Sequence, residues 1–266
     1  MLPILQIGPL AVQTPGLILL AGLWLGISLV ERQANRYRRM VDRGNLPAAQ
    51  NQEPLDAPSL YNLVLIAIVT GVIGARLVYA LLHFSSYLAS PASLLSPNPG
   101  TLNLWGGLTI SLAAALAYGR NKRLPFWRTV DSLTPGFAVL GVAIGLSNLA
   151  SGNAFGLPTN LPWAIELWGV RRHPTQIYET AAAVLILLLV WPGINLVQYR
   201  FDGARFLNFI AMSAGARLFL EAFRENSLRL AGGMRAAQVI SWVLLAACLW
   251  ILGSFPNRQI KKVGDE

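Results

Sequence analysis

Charge is scarce in this sequence. Asp, Glu, Lys and Arg supply 12% of its 266 residues, about half of what a soluble globule carries. With 54% apolar residues, the composition excludes a disordered chain, a collagen-like repeat and a small disulfide scaffold. Cysteine is nearly missing as well. Cys248, the single one, rules out an intrachain disulfide and any zinc spacing, and its apolar setting marks it as a small buried hydrophobe. No Lys or Arg precedes Arg32, so the cationic start of a cleavable signal peptide is lacking and the first apolar run is expected in the mature protein.

What is abundant is long apolar sequence, with a mean hydropathy of +0.50. Seven runs are candidates to cross a bilayer of about 30 Å. They lie near 10–30, 60–83, 105–119, 134–149, 177–197, 206–222 and 236–254. The expected fold is all-α, a polytopic bundle of seven transmembrane helices forming a single integral membrane domain over 1–266. The third and fourth runs are short and carry Gly106, Gly107, Gly136, Gly141 and Gly145; small residues let helix backbones approach, which predicts a central position for both. The last run carries Trp242 and Trp250, expected at its ends or facing lipid.

The basic residues give direction. The net charge is +9 and the pI about 10.3, yet no polar domain remains to present a nucleic-acid surface, so no nucleic-acid partner is expected. Counting alternate inter-run segments puts fourteen Lys and Arg on one side and five on the other, with Arg76 and Arg217 inside runs. The positive-inside rule then predicts an outer N-terminus and a cytoplasmic C-terminus. It assigns a basic cytoplasmic loop to 31–59, including Arg36, Arg38, Arg39 and Arg43, and a cytoplasmic tail to 255–266. Outer-face loops fall at 84–104 and 150–176. The second contains Phe155, Trp163 and Trp168, and is expected to be structured on the membrane face because loose aromatic chain would leave apolar surface in water.

Ionisable side chains within a bilayer are functional candidates, since each costs about 2.5–3.5 kcal/mol to insert. Arg76 is one. Arg217 and Glu221 are four residues apart on one helix face, with Arg224 a turn further. They fit either a structural clamp or a cationic pocket for a phosphate oxyanion. Arg171-Arg172-His173-Pro174-Thr175-Gln176-Ile177-Tyr178-Glu179 opens the fifth run. Pro174 and Thr175 suit a helix start, Thr175 as N-cap, and Glu179 in the first turns is favoured by the helix dipole. His173 is either a helix-entry residue bonded to backbone or an imidazole base.

His173-Pro174-Thr175-Gln176-Ile177-Tyr178-Glu179 resembles the His-Pro-Ser/Thr-Gln-Leu-Tyr-Glu block of the prolipoprotein diacylglyceryl transferase family, and Arg217-Leu218-Phe219-Leu220-Glu221-Ala222-Phe223-Arg224 is similar to its Arg-x-x-x-Glu-Phe-Phe-Arg. Gly74-Ala75-Arg76-Leu77, Gly106-Gly107-Leu108 and Gly8-Pro9-Leu10 are weaker echoes, so the resemblance runs along nearly the whole chain. The departures are concentrated. Trp105 stands where the family has a histidine on which its activity depends. The signature Gly-Arg-x-Gly-Asn-Phe-x-Asn-x-Glu falls on 144–153, where Asn148 and Gly152 survive, while Gly145 takes the arginine position and Asn153 the glutamate. In the first run Pro15-Gly16 takes the place of a Tyr-Gly, whereas Phe155-Gly156 still resembles the following Trp-Gly.

The resemblance implies transfer of diacylglyceryl from phosphatidylglycerol to the thiol of a prolipoprotein signal-peptide cysteine, with glycerol phosphate released and no cofactor. It implies Arg217, Glu221 and His173 as catalytic residues. Asn148, Gly152, Gly156, Arg76, Gln176, Tyr178, Glu179 and Arg224 would bind the substrates, and membrane lipids would be further partners. The thiol needs a base or a positive field and the leaving phosphate needs cations. The alternative is a catalytically degenerate paralogue that binds anionic phospholipid or serves as a subunit of a membrane complex. A small-solute transporter would want an internal repeat with broken helices, and no matching halves are found.

Overall fold

The computed structural model describes residues 4–7, 10–42, 55–90, 99–191, 201–230 and 232–263. It is mostly helical. After an antiparallel pair, β1 (Ile4–Ile7) with β2 (Leu10–Gln13), come α1 (Thr14–Asp42), α2 (Ala57–Leu82), α3 (Phe84–Ala89), α4 (Leu104–Asn121) and α5 (Phe126–Ser151). A second hairpin, β3 (Ile165–Leu167) with β4 (Val170–Arg172), leads into α6 (Thr175–Val190), α7 (Ala204–Leu220) and α8 (Ala236–Val263). The chain divides into two units, Ala34–Thr129 and Met1–Gln33 with Val130–Glu266.

In the first of these units α2 packs against α4 through small residues. A Cβ on Gly106 would stand 2.6 Å from Val78, and one on Gly107 would stand 2.8 Å from both the Ala75 Cβ and the Gly71 carbonyl. That closeness is the physical use of the glycines anticipated in the third run. Asn103 caps α4, its Oδ1 accepting from Gly106 N at 2.8 Å, and its own N–H donates to Ala75 O at 3.0 Å. Asp56 caps α2 through Ser59 N at 3.1 Å.

In the second unit α1 meets α5 in the same manner, with Gly22 against Ala143 and Gly26 against the Gly136 carbonyl. Helix α7 begins after Gly203, whose φ of 95° suits a residue without a side chain. Its open N–H groups are met from another helix: Asp131 of α5 accepts from Gly203 N at 2.6 Å and Phe206 N at 2.8 Å. This cap ties α7 to α5 at the end remote from Arg217.

Five stretches have the length and composition to cross a membrane: Thr14–Asn35, Ala57–Leu82, Phe126–Ser151, Ala204–Phe223 and Ala236–Ser254. Their outward faces are apolar, with Leu20, Trp24, Leu81, Trp242 and Trp250 exposed, while Cys248 is buried. All seven apolar runs contain a helix, but their limits differ from the sequence reading. Residues 10–13 are strand rather than helix start. The segment assigned to a basic loop is helical through Asp42, and the region assigned to the tail is helical through Val263. In the fifth run α6 stops at Val190 after 16 residues, a rise of about 24 Å. Gly8, Pro9, Arg43 and residues 91–98, 192–200 and 264–266 lie outside the described residues.

Replacing Asp131 with Ala leaves two N–H groups of α7 without their acceptor, and is expected to cost about 1–2 kcal/mol. The check is a lowered thermal-unfolding midpoint in detergent, with Asp131→Asn retaining part of the cap.

Candidate functional site

The site is assembled where α6 begins and α7 ends. Gly152, with φ of 75°, turns the chain out of α5, and residues 155–158 then run between the two helix termini. On one side Leu157 N donates to Phe223 O at 2.8 Å and Glu225 N to Phe155 O at 3.1 Å. On the other His173 N donates to Leu157 O at 3.0 Å and Thr159 N to Arg171 O at 3.0 Å. A Cβ on Gly156 would lie 2.4 Å from the His173 carbonyl, so only glycine permits this approach. Arg172 locks the arrangement: it pairs with Glu225, donates to Gly156 O and Leu167 O at 3.3 Å, and lies 5.0 Å over the Phe155 ring. The 150–176 segment is therefore structured, as its aromatic content requires.

Glu179 is the hub of the charged cluster. Its Oε1 accepts from Arg217 Nη1 and from Arg224 Nη1, each at 3.0 Å. Arg217 Nη2 lies 2.9 Å from Glu221 Oε2, a charge contact without hydrogen-bond alignment. Glu221 is 1% exposed and the Arg217 side chain 37%. Two carboxylates and two guanidiniums thus balance formally, yet one guanidinium keeps an open side. Burial pulls the Arg224 guanidinium below its ordinary value, while the Glu179 charge works against that pull. Arg235 supports the turn from behind, its Nη1 donating to the carbonyls of Glu221 and Arg224.

Beside this cluster lies a cleft of about 240 Å³. Glu179 and Arg217 contribute charge to its lining, and Gly141, Ala182, Ala183 and Ala216 keep it free of bulk. A charged group joined to an apolar slot suits an amphiphile with an anionic head.

His173 stands in an aromatic box. Its ring is 5.2 Å from that of Phe223 and 6.4 Å from that of Tyr178, and its Nδ1 is buried without a hydrogen-bond partner. The Tyr178 hydroxyl accepts from Trp163 Nε1 at 2.7 Å. Thr175 is not the N-cap. Pro174 holds that position without a side-chain bond, and the Thr175 hydroxyl donates to Ala154 O at 2.6 Å, because the incoming loop lies close enough to claim it. Gln176 is fully buried and donates to Asn153 O at 2.9 Å.

The sequence-derived candidates are thereby sorted. Arg217, Glu221, Glu179 and Arg224 form one network, and His173 and Tyr178 an adjoining one backed by Gly156. Gln176 and Gly152 shape the loop. Asn148 lies in the last turn of α5, its carbonyl accepting from Ser151 Oγ at 3.2 Å. Arg76 belongs to α2, in the other unit. Sequence reasoning missed Arg172, Arg235, Trp163 and Phe223. Arg172 was signalled by its place beside His173; Arg235 is eleven residues from the group it braces and gave no signal.

A family model described as prolipoprotein diacylglyceryl transferase matches residues 3–253. The chain belongs to the prolipoprotein diacylglyceryl transferase family. Relatives named phosphatidylglycerol–prolipoprotein diacylglyceryl transferase include one from Synechococcus elongatus, 29% identical over 94% of this chain and 87% of that protein. Another, from Bacillus velezensis, is 30% identical over 98% and 93%. A third, from Trichormus variabilis, is 30% identical over 90% and 83%.

The positions read from the sequence as departures from the family pattern lie in distinct settings. Trp105 opens α4 with 77% of its surface exposed. Gly145 is a point of backbone contact, where a Cβ would meet Thr180 Oγ1 of α6 at 2.4 Å and its Cα at 3.0 Å. Asn153 offers its backbone carbonyl to Gln176. An arginine at this point, as Gly145→Arg, is therefore expected to split α5 from α6 and abolish folded protein. Size-exclusion yield in detergent checks this, with Gly145→Ala giving a milder loss.

Proposed function

We propose that the chain transfers a diacylglyceryl group from phosphatidylglycerol to the thiol of a prolipoprotein signal-peptide cysteine. The observation that carries this reading is Arg217, half-exposed, held between Glu179 and Glu221 beside an apolar cleft. The names of the matched relatives support transfer over the binding-only alternative.

In this reading the S–C bond forms at the glyceryl carbon as the C–O bond to phosphate breaks. Arg217 and Arg224 stabilise the charge gathering on the departing glycerol phosphate, and the carboxylates hold both guanidiniums before the substrate arrives, so little reorganisation is needed. His173 accepts the thiol proton. Tyr178, Gln176, Gly152, Gly156 and Asn148 shape the binding region. The cleft lined by Ala182, Ala183 and Ala216 receives the glyceryl end of the lipid, where the acyl chains begin. The protein sits in the bacterial cytoplasmic membrane with seven spans, the N-terminus outside and the C-terminus cytoplasmic; the fourteen-to-five distribution of basic residues supports that direction.

The test is complementation of a strain depleted of its own transferase, together with thiol lipidation in detergent using phosphatidylglycerol and a signal peptide. Wild type should restore growth and lipidate the peptide, and Arg217→Ala should lower transfer by about a hundredfold or more. A silent wild type at normal expression refutes the transfer reading.

A further inference from the structure

The aromatic box around His173 has one wall that is held and one that is packed. Phe223 is packed: it belongs to the turn that follows α7, and its ring also lies 5.5 Å from Phe219. Tyr178 is held. It lies in the first turn of α6, with its ring edge-on to both His173 and Phe223, and its hydroxyl accepts the 2.7 Å bond from the Trp163 indole. His173 itself has no comparable tether at Nδ1, which is buried without a partner. A histidine that works as a base is ordinarily oriented by a hydrogen bond from its second nitrogen. Here that nitrogen makes none, so ring walls must do the orienting.

We infer that Trp163 is a positioning residue for the transfer reaction, acting through Tyr178 on His173. The inference rests on the proposed transfer reading and adds a residue to it. The chemistry follows from the donor's direction. Trp Nε1–H is a donor only, so the Tyr178 oxygen is the acceptor and its own proton must point away from Trp163. One bond therefore fixes where the far end of the phenol ring lies, the ring that stands edge-on to His173, and limits the direction in which Tyr178 can donate. Trp163 can do this while remaining 57% exposed, since only its N–H edge is needed. It sits between the 155–158 segment and β3 and reaches fifteen residues along the chain. Arg171 Nη2 donates to Leu161 O at 3.2 Å and Ala164 N donates to Leu161 O at 3.0 Å, which brace the turn that presents it.

The charged groups of the neighbouring cluster do not take over this task. Glu179, next in sequence to Tyr178, is bonded to Arg217 and Arg224. Glu225 is engaged by Arg172, and Glu221 by Arg217.

The experiment is a double-mutant cycle in the full-length detergent-solubilised enzyme, with Trp163→Phe, Tyr178→Phe and the pair. Trp163→Phe keeps the ring and deletes the donor. It is expected to lower kcat about three- to tenfold, the worth of one hydrogen bond, with KM for phosphatidylglycerol unchanged and the acid limb of the kcat–pH profile displaced, because that limb reports the base in the bound complex. Tyr178→Phe should lower kcat to a similar extent, and the double variant should have a kcat no lower than that of Tyr178→Phe. Thermal midpoints in detergent should match wild type, which separates positioning from loss of fold. Wild-type kinetics in Trp163→Phe, or two effects that multiply in the double variant, would overturn the inference while wild-type transfer still stands. Absence of transfer by the wild type itself would remove the reading beneath it.

Discussion

Everything in the site turns on one carboxylate shared between two guanidiniums. Glu179 enters in the first turns of α6 and draws in Arg217 from the last turn of α7 and Arg224 from just beyond it. Partly buried charges are tolerable only when paired, so the pairing dictates that the start of one helix lie beside the end of the next. The 155–158 segment, the Arg172 clamp and the Arg235 brace all serve that juxtaposition. Removing Glu179 would leave two partly buried cations without their common acceptor, a larger disturbance than removing either arginine.

The same arrangement accounts for the chemical bias of the site. Arg217 is neutralised on two sides and open on a third, which equips it to meet a phosphate without the cost of an isolated buried charge. Close packing of small residues in α5, α6 and α7 leaves the adjoining slot apolar. A charged cluster and an apolar slot thus lie side by side in one site.

Gly145 and Trp105 occupy opposite settings, one buried and one exposed. At Gly145 the neighbouring helix α6 is so near, through Thr180, that an added side chain would force one of them to shift. At Trp105 the side chain is exposed, and Asn103 secures the start of the helix.

The apolar runs and the glycines of the third and fourth runs were legible in the amino-acid order, because insertion into lipid and backbone approach impose composition directly, and the blocks at 173–179 and 217–224 stood out by their resemblance to the family's. Helix limits were less so: α1 continues through Asp42 beyond its apolar part, since a helix propagates past the membrane wherever its residues allow it. The charges of Arg217 and Glu221 could be placed on one face by spacing. That Glu179 joins them, that Thr175 bonds to Ala154 rather than capping its helix, and that Trp163 and Arg235 reach the site were decided by tertiary structure. Those contacts join residues 11 to 45 positions apart, and local periodicity carries no record of which distant donor will find which acceptor until the helices have packed.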